Sequence, residues 1–84
     1  MSDDIIAPII HLNGTSKERL LHYRDAAYIA LENAAQALLE CGPNGRDYYP
    51  KPGLMAKAED QHRRRLQSIR NLQAEIEREI ELIQ

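Results

Sequence analysis

The sequence predicts an all-α protein: a long antiparallel helical hairpin with an extended N-terminal arm, assembling with copies of itself into a helical-bundle oligomer. Two long segments, 15–41 and 54–83, carry apolar residues at helical spacings. The segment between them, 42–53, is rich in glycine and proline, which predicts the connecting loop. With 84 residues, the chain is expected to form a single domain, residues 1–84.

The N-terminal arm, residues 1–14, is expected to be extended. Its segment 5–12 contains four isoleucines and a proline, which favour an extended chain over a helix. Asn13-Gly14 then predicts a turn. An apolar arm of this kind has to be covered, either by its own helices or by a neighbouring chain.

Helix 1 is expected to run from about residue 16 to Cys41. Thr15, followed three residues later by Glu18, fits a capping box with Thr15 as the N-cap. Gly42-Pro43 predicts the end of the helix, with the glycine just past the last turn. The apolar residues of the predicted buried stripe are Leu20, Ala27, Leu31, Ala34 and Leu38, widened by Leu21, Tyr28, Ala35 and Leu39.

Helix 2 is expected over residues 54–83. Its predicted stripe is Met55, Ala58, His62, Leu66, Ile69, Leu72, Ile76, Ile80 and Ile83. Positions 59–65 hold no aliphatic residue, and a helical stretch that is polar all round is either solvated or part of a site. Both stripes are wider than one helix–helix contact needs, so we expect a dimer or larger homo-oligomer.

Composition and charge exclude several classes of protein. Cys41 is the one cysteine, so no internal disulfide can form, which favours a reducing, cytoplasmic location. No apolar run approaches the roughly 20 residues of a membrane span. The net charge of −2 is uneven, because seven basic and three acidic residues lie within 46–70. A basic block this local favours an anion site over a DNA- or RNA-binding surface.

The loop motif at residues 44–50, Asn-Gly-Arg-Asp-Tyr-Tyr-Pro, concentrates ligand-binding chemistry. Arg46 offers a planar fork for phosphate or carboxylate. Tyr48 and Tyr49 offer stacking faces and hydroxyl groups that suit a nucleobase. Asp47 can accept a hydrogen bond from a ribose hydroxyl or a base edge, or orient Arg46. Alternatively, the tyrosines pin the loop to the helices while Arg46 and Asp47 pair locally, or the loop is a protein interface.

Two residues of helix 2, Lys57 and His62, are further candidate ligand-binding residues. One or two of the three arginines at 63–65 can turn toward the loop with them, although three successive helical residues cannot all face one ligand. The alternative for the arginines is a solvated face with ion pairs to Glu59 and Asp60. For His62, which lies on the apolar stripe, the alternative is a buried histidine with a hydrogen-bond partner.

The motif His-Leu-Asn-Gly-Thr-Ser at residues 11–16 precedes a helix start, where backbone N–H groups favour anions. His11, Asn13, Thr15 and Ser16 can add donors there; the alternative is ordinary capping by Thr15. In one hairpin this end lies a helix length from Arg46. In an antiparallel pair of hairpins, one chain's motif can meet the other chain's loop and form a composite site.

Chemistry beyond binding is not indicated by the sequence. The three histidines and the cysteine lack metal-ligand spacing, so no metal is expected. No catalytic set, phosphate loop or dinucleotide fingerprint is present, so we expect a non-enzymatic protein without a cofactor.

The motifs at residues 11–16 and 44–50 together resemble a small family of phage and prophage helical proteins, which pair such a start with such a loop between two helices. In architecture the chain is also similar to phage sponge proteins, small oligomers that sequester nucleotide signals of bacterial defence. The resemblance implies a cytoplasmic protein of an infected or lysogenic bacterial host. Its ligand would be a small anionic nucleotide-derived signal, such as a cyclic nucleotide or a cyclic ADP-ribose-like molecule.

Two other functions remain open at this point. The chain can be a protein–protein interaction module, either a phage structural accessory or an inhibitor of a host protein, with the Tyr48-Tyr49 loop as its anchor. The third reading is a small hydrolase that acts on a nucleotide.

Overall fold

The computed structural model describes residues 4–84 and confirms the predicted all-helical fold. Helix α1 spans Lys17–Glu40 and helix α2 spans Leu54–Ile83, with one short 3-10 turn, Gly45–Asp47, between them. The described residues contain no strand. The two helices pack against each other as an extended rod of 62 × 24 × 15 Å.

The start of α1 corrects the predicted capping box. Ser16, and not Thr15, is the N-cap: its backbone is extended and its hydroxyl oxygen accepts a hydrogen bond from the backbone N–H of Arg19 at 3.2 Å. The position three residues after the cap is therefore arginine and not Glu18, so no capping box forms. Serine and threonine are both favoured N-cap residues, with serine the better of the two, and the capping-box pattern chose the wrong one of these adjacent residues.

The ends of the loop also differ from the expected glycine geometry. Gly42 follows the last turn of α1, as predicted, but it does not adopt the left-handed conformation that is common after a helix. Instead, the N–H groups of Cys41 and Gly42 donate to the carbonyl oxygens of Leu38 and Leu39 at 2.9 and 3.2 Å, which tightens the last turn. The left-handed glycine is Gly53, with φ of 83°, immediately before α2.

The buried core of the single hairpin is very small. Ala35, Gln73 and Ile83 are the buried residues of the described chain, and no large side chain is fully enclosed. Three residues of the predicted stripes, Ala34, Leu39 and Leu72, are exposed, whereas Ala35 and Ile83, which also belong to the predicted stripes, are buried. On α2, the buried residue near the middle of the contact is Gln73, the polar neighbour of Leu72, which the apolar spacing did not predict.

A polar network around Gln73 joins the middles of the two helices. The Gln73 amide nitrogen donates to Glu32 Oε1 at 3.1 Å and to the backbone oxygen of Tyr28 at 3.5 Å. Arg70 Nη1 donates both to Gln73 Oε1, at 2.7 Å, and to Glu32 Oε1, at 2.6 Å. The buried amide therefore has partners on both helices, which is the condition for burying a polar group.

A second link between the helices lies nearer the chain termini, where Arg24 Nε donates to Glu79 Oε1 at 2.9 Å. Arg24 precedes Glu32 on α1, whereas its partner Glu79 follows Arg70 on α2, so the helices run antiparallel.

The arm lies beside the first turn of α1 without being covered by it. Ala7 and Pro8 line a cavity together with Leu20 of α1, and these three residues are half-buried. By contrast, Ile6 and Leu12 are 88% and 99% exposed. The single chain leaves much of its arm open to solvent.

Candidate functional site

The loop that carries the predicted ligand-binding motif is a series of hydrogen-bonded turns. The Asn44 side-chain oxygen accepts from the backbone N–H of Arg46 at 3.1 Å, and the Asn44 carbonyl oxygen accepts from Asp47 N–H at 2.9 Å. Tyr48 N–H donates to the Gly45 carbonyl oxygen at 3.1 Å. This 3-10 turn was not predicted, although an asparagine that bonds the backbone two residues on is a typical turn signal.

The side chains of the loop point largely to solvent. Arg46 and Asp47 are exposed, and Tyr49 is 80% exposed, whereas Tyr48 is half-buried. No ion pair within residues 4–84 involves Arg46 or Asp47, so the local pairing considered for them is wrong. Of the two tyrosines, Tyr48 alone is placed to anchor the loop, and Tyr49 leaves a free aromatic face beside an unpaired guanidinium.

The arginines at 63–65 divide into two paired residues and one unpaired residue. Asp60 binds Arg63 Nη1 at 3.2 Å and Arg64 Nη2 at 2.7 Å, so the predicted surface ion pairs are confirmed for Asp60; Glu59 takes no part. Arg65 is exposed and has no ion-pair partner in the described chain. The sequence did not single out Arg65, because only the positions of its neighbours decide which arginine stays free.

His62 lies where the loop leaves α1. A Cβ atom placed on Gly42 would be 3.7 Å from His62 Nε2, so the imidazole faces the first residue of the loop. The side chain is half-buried, and no hydrogen bond joins it to another residue of 4–84. The expected buried histidine with a partner is therefore not observed. Lys57, one and a half turns earlier, is exposed.

The N-terminal motif forms a separate feature at the other end of the rod. Gly14 N–H donates to the His11 carbonyl oxygen at 3.1 Å and closes the predicted turn. The His11 ring covers Gly14 so closely that a Cβ there would lie 2.7 Å from Nε2, which explains the glycine. Asn13 is exposed. His11 and Thr15 line an open, mostly apolar cavity of about 460 Å³. Thr15 does not cap α1, because Ser16 is the N-cap.

The predicted site residues thus fall into two groups that a single chain does not bring together. The loop residues, Lys57 and His62 lie at one end of the rod, and His11, Asn13 and Thr15 lie at the other. The two ends carry opposite charge: residues 42–66 hold six basic and three acidic residues. At the opposite end, residues 4–25 and 75–84 together hold four basic and seven acidic residues.

Glu32 is the one described group whose titration is clearly shifted. Hydrogen bonds from Arg70, Gln36 and Gln73 hold the pKa of its carboxyl at about 2, against 4.5 for the free side chain. The carboxylate lies in the polar network between the helices and not in either group of predicted ligand-binding residues, so its role is structural.

Two further properties bear on the kind of site. Within the described chain, no three histidine, cysteine, aspartate or glutamate side chains cluster closely enough to hold a metal ion. Neither helix of residues 4–84 has the length and apolar character to cross a bilayer.

Comparisons with known proteins were made with the whole chain. No protein-family model, no curated protein and no solved structure matches it.

Proposed function

We propose that this protein is a non-enzymatic binding protein that holds a small anionic, nucleotide-derived ligand at the loop end of its hairpin. The observation that carries the proposal is the state of Arg46. Its guanidinium is exposed and has no ion-pair partner in residues 4–84, yet its backbone is held in a hydrogen-bonded turn. Because the backbone at Arg46 is already held in a turn, binding a phosphate would have to order the side chain but not the loop backbone.

The neighbouring side chains complement such a ligand. Tyr49, 80% exposed, offers a face on which a nucleobase can stack. Asp47, exposed and without an ion pair in the described chain, can accept from a ribose hydroxyl or an exocyclic amine. Tyr48, Lys57 and His62 complete the proposed set. The surplus of basic residues at this end raises the local concentration of anions.

A second chain is part of the proposal, because Arg46 stands near an exposed end of the rod. Small ligands bind in concave sites that enclose most of their surface. In a homo-oligomer of antiparallel hairpins, the cavity beside His11 and Thr15 of one chain would supply the second wall, with Asn13 at its edge. The ligand would then lie between the Arg46 loop of one chain and the N-terminal motif of another.

The biological setting follows from the two sequence motifs at residues 11–16 and 44–50. Their resemblance to phage and prophage proteins supports a protein that acts in the cytoplasm of a bacterial host. There it would sequester a cyclic nucleotide or cyclic ADP-ribose-like signal and so counter a bacterial defence.

Calorimetry with a panel of cyclic dinucleotides and cyclic ADP-ribose isomers tests whether the protein binds such a ligand. We expect one compound to bind the wild type, and Arg46→Ala to weaken that binding by about 1.5–3 kcal/mol, the range for a charge-assisted hydrogen bond. Arg63→Ala is the matched control, since Arg63 is already paired with Asp60 and should leave affinity nearly unchanged. Absence of binding across the panel would contradict the proposal.

A protein-interaction module is the second candidate, and the exposure of Tyr49 favours it. Exposed tyrosine and arginine side chains are the residues that most often anchor protein interfaces. If no small ligand binds, a defined host protein should bind the wild type and lose about 2 kcal/mol or more of affinity with Tyr49→Ala.

A further inference from the structure

One broad side of the hairpin is apolar, and residues 4–84 of the single chain cover it only in part. Successive residues of a helix point in directions that differ by about 100°, so the number of positions between a residue and the buried residue of its helix gives the side on which it lies. On α1, Ala27, Ala34 and Leu38 lie about 60–100° to one side of the buried Ala35. On α2, Ile69, Leu72 and Ile76 lie about 40–100° to one side of the buried Gln73. Because the helices are antiparallel, both deviations point to the same side of the hairpin. We call this the apolar face: Ala27, Ala34 and Leu38 of α1 with Ile69, Leu72 and Ile76 of α2.

The opposite side of the hairpin is more polar. It carries Asp25 and Gln36 of α1 with Arg63, Gln67 and Glu81 of α2, all of them exposed, and two exposed apolar residues of α1, Ile29 and Leu39. On the apolar face Ala34 is exposed, Leu72 is 48% exposed, and the other four residues are only half-buried. The apolar face is therefore the side on which both helices contribute apolar residues that are incompletely covered.

The single chain exposes more surface than a compact monomer of its mass, and the excess is of the size that a homodimer interface would bury. The chain exposes 6544 Å². A compact folded monomer of 9.6 kDa would expose about 5,100 Å². Its radius of gyration, 18.1 Å, likewise exceeds the roughly 12 Å of a compact chain of this length. Covering the excess of about 1,400 Å² on each of two chains would bury roughly 2,800 Å² in total, within the range of obligate homodimers.

We infer that the apolar face is covered by the same face of a second copy of this chain, and that the two hairpins lie antiparallel. Two copies packed face to face are related by a two-fold axis that lies in the interface, either along the rod or across it. An axis along the rod would place the two basic ends together. An axis across the rod places each basic end, residues 42–66, against the acidic end of the other copy, which is electrostatically favourable.

Two exposed alanines supply a matched test of the interface. Ala34 lies on the apolar face, whereas Ala74 lies on the polar side of α2, and both are exposed in the single chain. Ala34→Glu and, independently, Leu72→Glu should convert a sedimenting dimer to monomer at micromolar concentration, while Ala74→Glu should remain dimeric. Loss of helicity together with dissociation in the first two variants supports the inference as well, because their side chains carry little of the fold within one chain. A monomeric wild type, or dimers unchanged by Ala34→Glu and Leu72→Glu, would overturn it.

A spin label on the single cysteine can measure whether the two hairpins lie antiparallel or parallel. Cys41 is exposed at the end of α1 and can carry a spin label in the otherwise native chain. It lies about 12 residues from the middle of α1, so antiparallel hairpins should give a label-to-label distance of about 35 Å or more. A distance of about 20 Å or less would show parallel hairpins and overturn the antiparallel arrangement. No ligand enters either experiment, so failure of the ligand panel would leave this inference standing. Parallel hairpins or a monomer would remove the second wall of the proposed site, but binding at the Arg46 loop of one chain would still be tested by the calorimetry.

Discussion

Gln73 of α2 and Glu32 of α1 are joined by a hydrogen bond of 3.1 Å at the middle of the hairpin, and Gln73 is 97% buried there, with 3% of its surface exposed. Arg70 donates to both side chains through one nitrogen atom. The centre of this two-helix contact is therefore polar, and it is the feature that specifies how the helices align.

Replacing Gln73 should destabilise the protein. Gln73→Ala removes the hydrogen bonds that the buried amide makes with Glu32 on the other helix and with Arg70 on its own helix, and we expect the free energy of unfolding to fall by about 1–3 kcal/mol. Gln67→Ala is the control, since Gln67 is exposed and bonds only its helix neighbour Asn71; it should change stability by less than about 0.5 kcal/mol. Urea unfolding at equal protein concentration compares them. Equal effects of the two variants would show that the network does not align the helices.

The low pKa of Glu32 predicts a loss of stability in acid. The carboxyl titrates at about 2 in the folded chain and near 4.5 when unpaired, so the folded state favours its ionised form. The stabilisation is fully present above pH 4.5 and is lost as the pH falls toward 2, because unfolding then takes up a proton. Urea unfolding between pH 7 and pH 2 should show a shallower acid dependence for Glu32→Gln than for the wild type. Identical pH dependences would contradict this role.

Because Ser16 and not Thr15 is the N-cap of α1, we expect these two adjacent residues to contribute differently to stability. Ser16→Ala removes the side-chain oxygen that accepts from Arg19 N–H, and should cost about 0.5–2 kcal/mol of stability. Thr15→Ala should change stability by no more than about 0.5 kcal/mol, because Thr15 makes no cap. Thermal unfolding of the two variants side by side measures the difference. The reverse order would restore Thr15 as the N-cap.

The proposed composite site predicts complementation between two inactive variants. If each ligand lies between Asn13 of one chain and Arg46 of another, Asn13→Ala and Arg46→Ala should each lose binding. Exchanging subunits between them creates mixed dimers with one intact site, so about a quarter of the sites should bind again. Calorimetry before and after verified subunit exchange measures the recovery. A mixture as inactive as its parents would place the whole site within a single chain.

The elements that depend on local interactions could be predicted. The helices α1 and α2 follow from apolar spacing over about 24 to 30 residues, and their separation follows from the glycines and prolines of the loop. The turn at Asn13-Gly14 is likewise a property of neighbouring residues. These features need no knowledge of what the chain packs against.

The features that depend on distant partners could not be predicted. Leu72 fits the apolar spacing better than Gln73, yet Gln73 is the buried residue, and its amide has partners in Glu32 across the hairpin and in Arg70 one turn earlier on α2.

The ion pairs show the same division. Arg63 pairs with Asp60, three residues away on the same helix, and this contact was among those considered from the sequence. Arg70 pairs with Glu32, which lies on the other helix. The sequence determined which segments form helices and which residue types gather in the loop, because those depend on neighbours along the chain. Which helix faces meet, and which charges pair between the helices, was decided by the tertiary structure, because those contacts depend on atoms that folding brings together from distant positions.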